Sequence, residues 1–173
     1  MTITRPSMLP GALIGAALFT AVLFIPGPLG AREESVVNAA PAFAGGGSVG
    51  RRITLASLRG KPVILVFASS PSDREFRKQM SEFKGSYERL AAQGMISFAA
   101  ITSFQGRIPS NIPFILVDDP TRVASAYGVG SGFAIAVIGS DGNLDCLSLK
   151  PLPGQRILDL VNNNAARQTE MRR

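Results

Sequence analysis

Histidine and tryptophan are absent from this 173-residue chain, cysteine occurs once, and charged residues make up only 17%. Each shortage removes a class of chemistry. Without histidine the usual general base is missing, so neither a Ser-His-Asp nor a Cys-His machine can be assembled. A single cysteine, Cys146, allows no internal disulfide, no CxxC pair and no Cys/His zinc or copper site. Low charge together with 46% apolar residues excludes a disordered chain and a long coiled coil. The net charge of +6 is interleaved with acids, as in Asp73-Arg74-Glu75-Phe76-Arg77-Lys78. No basic stripe with exposed aromatics is present, so nucleic acid is not an expected partner. The local group Arg51, Arg52, Arg59 and Lys61 could touch anionic lipid or an acidic partner.

What is present begins with an apolar leader. Arg5 precedes an uncharged run from residue 11 to residue 25, which Pro26-Gly27-Pro28 interrupts. A run of that length fits the core of a signal peptide and falls short of the roughly 18 residues of a spanning helix. Residues 1–31 are therefore read as a signal peptide, with a membrane anchor over residues 8–31 as the alternative. The expected location is periplasmic or otherwise outside the cytoplasm. Small-residue cleavage sites occur at Ala31, at Val37-Asn38-Ala39 and at Ala42-Phe43-Ala44. Residues 32–50, rich in Ala and Gly, read as a flexible linker. Beyond the leader about 130 to 140 residues remain, enough for one domain with its own core.

That domain, residues 51–165, alternates strands and helices. Pro62-Val-Ile-Leu-Val-Phe-Ala68 is a continuous apolar run and predicts a buried central strand. Ser69-Ser70-Pro71-Ser72 is a turn, and Ser72 with Glu75 fits a capping box at the start of a helix. Phe76, Met80, Phe83, Tyr87 and Leu90 mark one face of that helix, which Gly94 ends. Strands follow at residues 95–102 and 114–117, a short helix opens at Asp118-Asp119-Pro120, and a third long strand runs over residues 133–138. Asp141-Gly142 predicts a hairpin to residues 144–149, and a final helix carries Ile157, Leu158, Leu160 and Val161. Residues 166–173 read as a C-terminal tail. The fold class is α/β, a three-layer sandwich with a mixed central sheet and a C-terminal β-hairpin plus helix.

This order is that of the thioredoxin fold. The entry Ile53-Thr-Leu-Ala-Ser-Leu-Arg-Gly-Lys-Pro62 resembles that of periplasmic thioredoxin-like proteins and peroxiredoxins. So do Val117-Asp-Asp-Pro-Thr-Arg-Val-Ala-Ser-Ala-Tyr-Gly-Val129 and Val137-Ile-Gly-Ser-Asp-Gly142. A narrower likeness is to the exported family catalogued as domain of unknown function 4174. It rests on Phe67-Ala68, Gln79, the stretch from Gly132-Phe133 to Gly142, and Arg167-Gln-Thr-Glu-Met171. Ser140 stands where that family has a lysine. The resemblance implies a thioredoxin-like fold without its redox centre, and no assigned activity. In thioredoxin-like enzymes the nucleophilic cysteine sits at the start of the first helix, where the dipole lowers its pKa. Here Ser69, Ser70, Pro71 and Ser72 occupy that turn, and Phe133 occupies the place of the cis-proline.

With the CxxC motif, histidine and that proline all missing, the chain is expected not to be an enzyme. No catalytic residue, cofactor or metal ligand is assigned. Asp118, Asp119 and Asp141 lack metal-site spacing and read as helix-start and turn residues. The expected role is a binding or accessory module in the cell envelope. Its contact surface would be the former active-site end: Ser69, Ser70, Pro71, Ser72, Asp73, Gly132 and Phe133, with the loop 103–113 beside them. The three serine hydroxyls and the N–H groups of the helix start could also hold an anion. The partner would be an envelope protein. The rival reading is a one-cysteine thiol oxidoreductase or peroxide sensor acting through Cys146, with Asp145 next door opposing a reactive thiolate.

Overall fold

The computed structural model describes residues 38–46, 50, 52–104, 106 and 108–171. The leader expected over residues 1–31 lies outside them. Among the described residues, no helix is long and apolar enough to cross a membrane.

The sheet is built outward from β3 (Val63–Ala68), whose six side chains are all buried. Strand alternation sends Ile64, Val66 and Ala68 to one core layer and Val63, Leu65 and Phe67 to the other. β4 (Ile96–Ile101) pairs with β3 in parallel, and β5 (Phe114–Val117) pairs in parallel with β4. On its other side β3 meets β6 (Ala134–Ile138) antiparallel, and β6 turns back into β7 (Leu144–Ser148). β1 (Ala44–Gly46) and β2 (Arg52–Thr54) complete a seven-stranded mixed sheet ordered β2-β1-β5-β4-β3-β6-β7. α1 (Arg74–Lys84), α2 (Tyr87–Ala92) and α4 (Gly154–Met171) supply Phe76, Phe83, Leu90, Ile157, Leu158 and Val161 to one core layer. α3 (Pro120–Ala126) supplies Val123 and Ala124 to the other. This is the thioredoxin-like α/β fold that the element order predicted.

Three expectations change in detail. The single helix expected from residue 72 to residue 94 breaks at Gly85 and Ser86 into α1 and α2. The buried hydroxyl of Ser86 turns back to the carbonyls of Glu82 and Phe83, at 3.1 and 3.5 Å, in competition with a continuing helix. Within the stretch read as flexible linker, Phe43 is 4% exposed and β1 lies between β2 and β5. Gly45 permits that insertion, since a Cβ there would stand 2.4 Å from the carbonyl oxygen of Leu116. The residues read as a tail from 166 onward continue α4 as far as Met171.

Candidate functional site

Because β3, β4 and β5 are parallel and β6 runs against them, four chain segments converge at one end of the sheet. Residues 69–73 leave β3 there, the loop after β4 begins there, β5 ends there, and residues 130–133 enter β6 there. The convergence is hydrogen-bonded. The Ser69 hydroxyl donates to the carbonyl of Ser131 at 2.7 Å, and the N–H of Ser103 donates to the carbonyl of Ser69 at 2.9 Å. The Ser69–Ser131 hydrogen bond thus sets the turn that holds Ser69, Ser70, Pro71, Ser72 and Asp73 beside the segment that holds Gly132 and Phe133. Phe133 is half-buried against the core, and Gly132 is exposed.

The chemistry of the turn differs from expectation. Asp73, not Ser72, is the N-cap of α1, so the capping box does not form. The Asp73 carboxylate reaches backwards instead, and its Oδ2 accepts from the N–H groups of Ser69 and Ser70, each at 2.9 Å. The Ser70 hydroxyl meets that of Ser72 at 2.7 Å and accepts from the Ser72 N–H at 3.2 Å. The Ser69 and Ser70 N–H groups are thus already taken by a carboxylate of the protein itself. Nor can the turn exchange disulfides, because a serine hydroxyl has no accessible oxyanion near neutral pH.

Cys146 stands elsewhere. It pairs across the sheet with Val137, which pairs with Ile64 near the start of β3. Ser70 lies six positions along the chain from Ile64, past the end of β3, about 20 Å at the rise of an extended chain. The thiol and the serine turn are therefore two separate places. Cys146 lies half-buried on the edge strand β7, packed against the layer that holds Ile157, Leu158 and Val161. The three aspartates do not gather either. Asp118 pairs with Arg52 at 2.8 Å, Asp119 caps α3 by accepting from the Arg122 N–H at 3.0 Å, and Asp141 lies at the opposite end of the sheet. A cleft of about 360 Å³ also opens at that opposite end, between Pro62, Gln93, Ser140 and Ala165.

Two buried polar features escaped the sequence reading. Gln79 is fully buried and bonds the backbone of Leu152. Asn164, 1% exposed, joins α4 to the hairpin through Ser140, Asp141 and Asp145. The available signal was spacing: Asn164, Arg167 and Gln168 recur at the three- and four-residue steps of one helix face.

A family model described as the AhpC/TSA family matches residues 36–145. No curated protein matches the sequence. Among solved structures, a thiol:disulfide interchange protein from Bacteroides sp. superposes with a TM-score of 0.59 at 18% identity, covering 72% of this chain and 89% of that one. The thioredoxin domain of a thiol-disulfide oxidoreductase from Bacteroides vulgatus gives 0.57 at 19% identity, covering 73% and 95%. An exposed lipoprotein thioredoxin from Streptococcus pneumoniae gives 0.51 at 16% identity, covering 71% and 99%. At these identities the structures show the shared fold. The family match overturns the expectation that the chain is not an enzyme. It points to redox-enzyme-like function in a chain with one cysteine.

Proposed function

The chain belongs to the AhpC/TSA family, and on that footing we propose that it is a one-cysteine thiol redox protein of the cell envelope, with Cys146 as its reacting sulfur. The observation that carries this reading is the distribution of nucleophiles. The helix start holds only serines closed on the Asp73 carboxylate, and the chain's one sulfur nucleophile is Cys146, half-buried on an edge strand. In the step proposed, the Cys146 proton goes to solvent and the thiolate attacks one sulfur of an external disulfide. A mixed disulfide forms and the second sulfur leaves as a thiolate. A thiol of the partner then displaces Cys146 and restores it. With a peroxide, the same thiolate takes one oxygen, the O–O bond breaks, and a sulfenic acid and an alcohol result. We propose as well that the chain lies outside the cytoplasm and stands with the exported group that lacks the redox centre at the first helix, its one thiol being placed elsewhere, on β7.

The test is the rate of Cys146 alkylation against pH on folded protein. A fast reaction with a midpoint below about 8.5, the value of an ordinary thiol, supports the reading. Reaction only after unfolding overturns it.

A second role is favoured by the Ser69–Ser131 and Ser103–Ser69 hydrogen bonds, which fix three loops into one surface. We propose that this end receives an envelope protein partner, as ligands of α/β sheets gather at the C-terminal ends of parallel strands. Ser70→Trp and Gly132→Trp should abolish cross-linking to that partner; unchanged cross-linking refutes the surface.

A further inference from the structure

The joint between the β6–β7 hairpin and α4 contains a carboxylate in an unusual position. The pairing of β6 with β7 slips by one residue: Val137 faces Cys146, but Ile138 faces Leu144. Asp145 is therefore the extra residue of a β-bulge. Regular alternation would send the neighbours Asp145 and Cys146 to opposite faces of the sheet. The bulge instead lets the Asp145 carboxylate meet α4, on the side where Cys146 also packs. Its side chain is 7% exposed. Oδ1 accepts from Asn164 Nδ2 at 3.2 Å and from Arg167 Nη2 at 2.9 Å. Oδ2 is buried with no hydrogen-bond partner among the protein's described atoms.

The surroundings hold a second carboxylate close by. Asn164 Nδ2 also donates to Asp141 Oδ2 at 3.3 Å, so one buried amide group tethers two acids. Asn164 Oδ1 in turn accepts from the Ser140 N–H and hydroxyl, both at 3.2 Å, and from Gln168 Nε2 at 2.6 Å. The charged and titratable groups facing the joint are Arg167 from α4, Asp141 from the turn, Cys146 beside Asp145 on β7, and Arg59, whose guanidinium stands over Gly142. Arg167 is 55% exposed, so much of its charge is screened by solvent. An ionised carboxylate with one buried, unpaired oxygen and a second acid on the same amide is a place where a proton is welcome.

We propose that Asp145 is a proton-responsive latch: protonation at Oδ2 discharges the buried acid and tightens the docking of α4 on the hairpin, so the joint strengthens as pH falls from neutral.

The direction follows from linkage. Burial pushes the Asp145 carboxyl above its ordinary 3.8, and the hydrogen bond from Asn164 and the charge of Arg167 offset this only in part. A group whose pKa is raised by folding contributes stability that is complete below its unfolded value and lost as pH rises through its folded value. The window therefore lies above pH 3.8.

The experiment is amide hydrogen exchange of residues 161–168 in the full chain between pH 7.5 and 4.5, corrected for intrinsic exchange. Wild-type protection should rise as pH falls, by at most about tenfold per pH unit, the limit for one linked proton. Asp145→Asn should be at least as protected as wild type at pH 7.5 and should lack the dependence. Arg167→Gln, which leaves the acid in place, should move the transition to higher pH. Flat or falling wild-type protection, the same dependence in Asp145→Asn, or an unmoved transition in Arg167→Gln each overturns the latch.

Discussion

Gln79 and Leu152 exchange two hydrogen bonds across the core: Gln79 Nε2 donates to the Leu152 carbonyl at 3.1 Å, and Gln79 Oε1 accepts from the Leu152 N–H at 2.8 Å. A fully buried amide in mid-helix is thereby satisfied by backbone just ahead of α4, and it sets where that helix starts. Gln79→Ala leaves both backbone groups without partners and opens a cavity. We expect a loss of about 2–4 kcal/mol, read from the urea midpoint at unchanged slope. A change within about 0.5 kcal/mol, typical of surface substitutions, would show that the clamp is not needed.

Asp141 should respond to acid in the sense opposite to Asp145. Burial alone would raise its carboxyl, but the N–H of Asn143 and the Asn164 amide outweigh that and hold it below 3.8. A depressed pKa contributes stability above the unfolded value and loses it as pH falls through the folded value. Asp141→Asn should be less stable than wild type at neutral pH, and the gap should close below pH 3.8. Denaturant midpoints across an acid series check this. A gap that widens in acid would mean that the carboxylate is not held by these donors.

Restoring sulfur at the helix start should not restore reactivity. In a Ser70→Cys variant the N–H groups of residues 69 and 70 remain engaged by Asp73, and its negative charge stays close to the new thiol. That thiol should titrate near or above 8.5, the value of a free cysteine. Adding Asp73→Ala frees the donors and removes the like charge, and the midpoint should fall by about one unit or more. Thiolate absorbance against pH gives both numbers. A low midpoint in the single variant would show that the Asp73 carboxylate does not govern this turn.

How far the sequence was legible follows from which interactions are local. β3 could be read because it is buried on both faces, which needs an unbroken apolar run. The β6–β7 turn could be read because Asp141-Gly142 is a short-range signal, and Gly142 indeed takes a positive φ of 78°. β1 could not be read: its three residues are Ala-Gly-Gly, and its strand character comes from partners at residues 52–54 and 116–117. The break at Gly85-Ser86 was hidden because the apolar steps from Phe76 to Leu90 hold their period across it. At the candidate site, the positions of residues 69–73 and of Phe133 were legible through the element order. The backward reach of Asp73 was not, since an Asp followed by a helix reads equally well as an ordinary cap. The Asp145 bulge is a matter of register, which only the facing strand reveals.

Phe43 decides where the folded body begins. It is 4% exposed and meets Phe98 edge-on, with ring centroids 5.0 Å apart. Next to it, the carbonyl of Pro41 accepts from the Tyr127 hydroxyl at 3.0 Å, and the N–H of Leu144 donates to the carbonyl of Asn38 at 2.9 Å. Phe43→Ala should cost about 3–5 kcal/mol, and Tyr127→Phe about 1 kcal/mol through one lost hydrogen bond. A chain starting at residue 38 keeps all of these contacts, whereas one starting at residue 45, as processing after Ala42-Phe43-Ala44 would leave it, loses them and part of β1. The first should melt with the full chain's folded body and the second well below it, by roughly 10 °C or more for a loss of this size. Equal melting of the two truncations would mean that Phe43 fills the core without holding it. A folded, exported form starting at residue 45 would place the cleavage inside what the packing marks as the domain.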